Sequence, residues 1–156
     1  MPTVDFFKEK AKMPQFLLVL FILEFFLVLI LGNLDKYEMI YLTLFNVFFC
    51  GIIFFSSFSL QLNKFGVSYS FLLIRNKILW YDIKYIELKN TLMGDFPLGY
   101  GVRYSRKLGW AYVFGSDTAL YIELKNQKKY VLNVKNKEHL ICFIKENGLT
   151  EFFINI

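Results

Sequence analysis

The chain has 156 residues, of which 56% are hydrophobic and 20% aromatic, and it carries a formal net charge of +5. That composition excludes a disordered chain; with two long apolar runs set aside, the length leaves room for one small soluble domain. Residues 1–60 hold four Lys or Arg against five Asp or Glu, and residues 61–156 hold fourteen against eight, so the surplus of positive charge lies wholly in the second part.

Residues 1–15 read as a polar N-terminal segment in which Lys8, Lys10 and Lys12 precede an apolar run. The run, residues 16–31, has a single charge. At about 1.5 Å per residue it reaches about 24 Å, against a hydrocarbon core about 30 Å thick, and tilt or thinning closes the gap. A cleavable signal peptide would look similar at its start. However, Gly32, Asn33, Leu34 and Asp35 offer no small-residue cleavage site and a second apolar run follows at once, so a retained membrane helix is expected. Residues 39–60 are uncharged and long enough to span. The short connection, 32–38, makes the helices antiparallel neighbours. Lysines before the first helix, and Lys64, Arg75 and Lys77 after the second, outnumber Lys36 in the connection, which places both termini in the cytoplasm.

Glu24 lies near the middle of the first helix, where an unpaired carboxylate costs on the order of 3 kcal/mol. Thr43, Asn46, Cys50 and Ser57 share one side of the second helix at helical spacing, and Gly51 permits close approach. A packing contact among Glu24, Asn46 and Cys50 is expected, with protonated Glu24 bonded to Asn46. The functional alternative is a proton or ion relay, and a lone carboxylate without a second titratable partner argues against it.

From residue 60 the apolar period shortens to two. Strands are expected over 59–65, 67–71, 86–88, 101–105, 110–114, 120–124 and 130–134, with a polar turn at 126–128 joining the last two as a hairpin. Asn136 is placed to cap a helix over 137–147, with Leu140, Phe143 and Ile144 on one face and Gly148 to end it. About seven antiparallel strands with one closing helix make a curled sheet whose open end the helix plugs. The apolar tail, 149–156, is expected to fold back on this domain.

Trp80, Asp82, Ile83 and Ile86, then Pro97-Leu98-Gly99-Tyr100-Gly101-Val102-Arg103-Tyr104, then Gly109-Trp110-Ala111-Tyr112, followed by strands and a C-terminal helix, resemble the bacterial PH-like domains of small membrane proteins. The resemblance covers roughly residues 60–148, and two helices ahead of the domain are similar too. It implies a membrane α-helical hairpin (16–60) carrying a cytoplasmic PH-like domain (61–156) in the bacterial inner membrane. It supplies no catalytic residues. The role it implies is noncatalytic: binding a protein partner or the membrane surface, with lipids, a partner protein or further copies of the chain as partners. Two alternatives are an immunity factor against a membrane-active bacteriocin or toxin, and a subunit of an oligomeric channel or transporter.

Candidate chemistry is sparse. Gly99 and Gly101 lack the third glycine and following helix of a dinucleotide loop. His139 is the only histidine and has no fixed partner, so a surface residue is expected. Asp95 and Asp117 fall in loops. Cys50 and Cys142 have neither disulfide nor metal-ligand spacing. No catalytic, cofactor or metal site is expected. Arg103, Arg106 and Lys107 with Trp110 are the candidate head-group or partner contacts, and Lys125, Lys128 and Lys129 form a second basic group. No recognition helix or stacking motif supports nucleic-acid binding.

Overall fold

The computed structural model describes residues 6–90 and 100–154. The chain divides into two compact units, Lys12–Ser56 and, together, Met1–Ala11 with Ser57–Ile156.

The first unit is a pair of helices, α1 (Gln15–Leu31) and α2 (Lys36–Phe55). The second starts three residues earlier than its apolar run because Asp35 and Glu38 form a capping box. Asp35 Oδ1 accepts from the N–H groups of Tyr37 and Glu38 at 2.8 and 2.9 Å, and Glu38 Oε2 accepts from the Asp35 N–H at 3.0 Å. It also ends before residue 60: Ser56 caps it in an extended conformation and the chain enters a strand. The helices pack through the Phe21 and Phe49 rings, 5.9 Å apart, and through Asn46 Nδ2, which donates to the Phe21 carbonyl at 3.2 Å. By length and composition α2 is sufficient to cross a membrane; α1 is a shorter apolar helix of 17 residues.

The second unit holds ten strands among the described residues, not the seven expected. One sheet has the order β1 (Phe6–Lys12), β2 (Ser57–Asn63), β3 (Gly66–Phe71), β4 (Ile74–Leu79). The other contains β5 (Ile83–Asn90), β6 (Tyr100–Ser105), β7 (Gly109–Phe114), β8 (Thr118–Leu124), β9 (Lys129–Val134) and β10 (Phe153–Ile154), in the order β10-β5-β8-β9-β7-β6. The sheets meet through aromatic rings: Phe58 stacks on Phe114 at 5.0 Å and on Tyr112 at 6.0 Å, and Tyr69 lies 4.7 Å from Tyr112. Aromatic pairs at such spacings add to the area they bury.

Three strands escape the apolar pattern, each for a physical reason. In β1 the lysines at 8, 10 and 12 are its exposed face, while Phe7 on the other face is fully buried against Phe143. The segment that resembled a charged leader therefore belongs to the β unit. Strand β4 is an edge strand, exposed through Lys77, so only its last residues show an apolar signal. Strand β10 is two residues that pair in parallel with β5, Phe153 against Ile86, which is how the tail buries its Phe. A second parallel pairing joins β7 to β9, so the sheet is not uniformly antiparallel. Strand β9, central in the sheet between β8 and β7, is buried on both faces from Val131 to Val134. Helix α3 (Lys137–Glu146) follows, capped by Asn136 and burying Leu140, Phe143 and Ile144.

Candidate functional site

Two turns separated in sequence meet at one end of the six-stranded sheet. The β6–β7 turn carries Arg106 and Lys107. Its Lys107 N–H donates to Ser105 Oγ at 3.3 Å, and Gly109, at φ 74°, brings the chain back into β7. The β8–β9 turn carries Lys125 and Lys128. It is closed by bonds from the Leu124 N–H to the Lys128 carbonyl and from the Gln127 N–H to the Leu124 carbonyl, both 2.9 Å. Their convergence comes from the parallel register of β7 and β9, in which Trp110 pairs with Tyr130 and Ala111 with Val131.

Gly109 is what allows the close approach. A Cβ at this position would sit 2.0 Å from the Lys129 carbonyl oxygen, so any side chain would force the turns apart.

Between the turns lies an open cleft of about 370 Å³. Tyr104, Trp110 and Tyr130 form its aromatic wall, Arg106, Lys128 and Lys129 supply positive charge, and among the described residues no carboxylate lines it. The Tyr104 and Trp110 rings are 5.3 Å apart and remain 64% and 48% exposed. Among the described residues Arg106 and Lys128 have no ion-pair partner; Lys129 Nζ lies 3.5 Å from Glu123 Oε2. Such a lining suits an anion carrying a small carbon skeleton, because guanidinium and ammonium groups bind phosphate and carboxylate oxygens with charge-assisted bonds.

A second, smaller cavity of about 170 Å³ lies beside Tyr85, Glu87, Tyr121 and Glu123. Glu123 is its electrostatic centre: Lys84 Nζ donates to Oε1 at 2.7 Å and the Tyr85 hydroxyl to Oε2 at 3.0 Å. The hydrogen bond from Lys84, then that from Tyr85, hold the Glu123 carboxyl below its usual pKa, while Glu123 raises those of Lys84 and Tyr85. The carboxylate is already satisfied by neutralising donors. It is the hub of an ion-pair cluster with Lys84 and Lys129.

The structure separates the expected contact residues. Arg106 and Trp110 line the cleft; Lys107 lines the smaller cavity. Arg103 pairs with Ala111, whereas Tyr104 pairs with Trp110, so alternation puts Arg103 on the opposite sheet face. Tyr104 joins the site through the β6–β7 hairpin, whereas Lys128, Lys129 and Tyr130 join it only through the β7–β9 pairing, which leaves no local trace in sequence.

In the helical unit, Asn46 and Cys50 do interact, Cys50 Sγ donating to Asn46 Oδ1 at 3.4 Å. Contrary to expectation, Glu24 is exposed and makes no bond to Asn46, whose Nδ2 donates to the Phe21 carbonyl. His139 is exposed, its ring 5.2 Å from that of Phe7. Cys142 is exposed, and its hydrogen bond to Glu146 raises the thiol pKa. Among the described residues no three His, Cys, Asp or Glu side chains are grouped to hold a metal ion. Asp95 and Pro97-Leu98-Gly99 lie outside the described residues.

No family model, curated protein or solved structure matches the chain.

Proposed function

We infer that the chain is a noncatalytic membrane protein, anchored by α1 and α2 as a hairpin, whose β unit is PH-like and binds at the membrane surface. One observation carries the anchoring. The helical segment leaves the β unit at β1 and re-enters it at β2, and these strands are neighbours in one sheet. A folded sheet cannot be divided by a bilayer, so the intervening segment crosses an even number of times. If α2 spans, α1 spans with it, despite its 17 residues. Two sheets packed face to face and followed by α3 support the PH-like reading, although the parallel β7–β9 pairing departs from a plain antiparallel meander. The cationic, aromatic cleft supports binding at a surface rich in anionic head groups. Positive-inside counting supports a cytoplasmic side for the β unit, and the resemblance to bacterial PH-like domains supports a bacterial inner membrane.

Site-directed labelling tests the hairpin. In a Cys50→Ala background, an impermeant maleimide should reach Asn33→Cys in intact spheroplasts and native Cys142 only after lysis. Labelling of both from the same side would remove the hairpin.

A second reading, assembly of several copies, is favoured by exposed Glu24 on an otherwise apolar α1. In membranes, Glu24→Cys should then form a disulfide-linked dimer on mild oxidation; a strictly monomeric product would discard it.

A further inference from the structure

The cleft between the β6–β7 and β8–β9 turns is more selective than a basic surface. Its positive groups come from two turns separated in sequence and from the start of β9, and they are held in fixed relation by the β7–β9 register and the bare Cα of Gly109. Tyr104 and Trp110 of its aromatic wall are exposed although Tyr112 and Phe114, further along the strand that carries Trp110, are buried. At about 370 Å³ the space exceeds what a phosphate ion alone would fill, given that a water's share of liquid volume is about 30 Å³. The size falls within the range of small-ligand sites. Among the described residues its charged lining is wholly cationic, which favours an anion over a cation.

We propose that this cleft binds a small phosphate-bearing ligand of the glycerophosphate type, its phosphate held by Arg106 and Lys128 and its carbon skeleton lying against Trp110. Lys129, drawn toward Glu123, borders the site and sets the field without being the principal ligand. The proposal rests on the noncatalytic binding reading of the β unit. It does not require the hairpin, so the labelling experiment and the one below fail independently. The chemistry is shared by a phospholipid head group and a soluble sugar or glycerol phosphate.

The test uses the full chain in neutral maltoside micelles and follows tryptophan emission. Trp80 is buried and stacked on Phe152, so changes on ligand addition report Trp110. The probes are glycerol 3-phosphate, inorganic phosphate, short-chain phosphatidylglycerol and hexaglutamate. A saturable shift is expected with the first and third, weakened about tenfold or more in Arg106→Ala/Lys128→Ala. It should persist in Arg75→Ala/Lys77→Ala, which removes equal charge from the other sheet. A response to phosphatidylglycerol far stronger than to glycerol 3-phosphate assigns a lipid source, and comparable responses assign a soluble one. The proposal is overturned by no saturable response to any phosphate probe, by equal loss in both double variants, or by an equal response to hexaglutamate, which would mark an acidic-protein surface.

Discussion

The Glu9 carboxylate spans the sequence to Asn136, accepting its backbone N–H at 2.6 Å and that of Lys135 at 2.8 Å, just ahead of α3. A carboxylate there satisfies orphan donors and complements the positive end of the helix dipole. Glu9→Ala is therefore expected to destabilise the β unit by about 1 kcal/mol, and Glu9→Gln by less. A drop of roughly 4 °C or more in thermal midpoint, read by tryptophan fluorescence, checks it. An unchanged midpoint would mean that water replaces the carboxylate without loss.

Asn133 is buried and makes four hydrogen bonds. Its Oδ1 accepts from the Phe114 and Ser116 N–H groups, each at 3.0 Å, and its Nδ2 donates to the Ser116 and Thr118 carbonyls at 2.8 and 2.7 Å. Every donor and acceptor site of the amide is used. Asn133→Asp keeps the shape but cannot donate to the carbonyls, and a loss of about 2–3 kcal/mol is expected in urea unfolding. A near-neutral result would show that the β7–β8 turn is held from elsewhere.

Gly109→Ala combines a positive φ with a clash against the Lys129 carbonyl. The expected cost is about 2 kcal/mol or more, with a parallel loss of cleft binding. Ala placed instead at Gly101, where a Cβ meets nothing within 4 Å but φ is 106°, should affect stability alone. Comparing urea midpoints with ligand response separates the two.

Glu123 gives a pH signature. Its folded pKa is depressed, chiefly by the Lys84 hydrogen bond, so its contribution is present above the unfolded value of about 4.3 and is lost as pH falls through the folded value. Lys84 behaves oppositely: its raised pKa contributes below about 10.4 and is lost as pH climbs through the folded value. In Glu123→Gln, the loss of stability below pH ~4 should flatten, and the alkaline loss should weaken too. Unfolding curves across the acid range decide it; identical slopes in variant and parent would refute the linkage.

Much of the architecture was legible because burial imposes period. Leu120, Ile122 and Leu124 alternate as a half-buried strand must, and Asn136, Leu140, Phe143 and Ile144 mark a capped amphipathic helix. What was missed depends on partners remote in sequence. Lys8, Lys10 and Lys12 look the same as a leader's charges or as the outer face of β1, and only Phe7 meeting Phe143 distinguishes them. Asn133 reads as a polar strand position until the turn at Ser116 folds over it. The cleft was half visible: Arg106 and Trp110 stand close in sequence, but Lys128 joins them only through a parallel pairing that no short-range pattern encodes. Asp35 and Glu38 did carry a local capping signature, and it was masked by the apolar run beginning after it.

The order of the chain also sets an order of assembly. Strand β1 is made first, yet its sheet neighbour β2 follows both helices, and the Glu9 bond waits for Asn136. At ribosomal speeds of about 5–20 residues per second, β1 stays unpaired for several seconds and the clasp forms only after roughly ten. Until then an exposed edge carrying Phe6 and Phe7 must be kept from other chains, and the alternating lysines at 8, 10 and 12 discourage such pairing by charge repulsion. The same three lysines thus guard the nascent strand before they become the outer surface of the finished sheet.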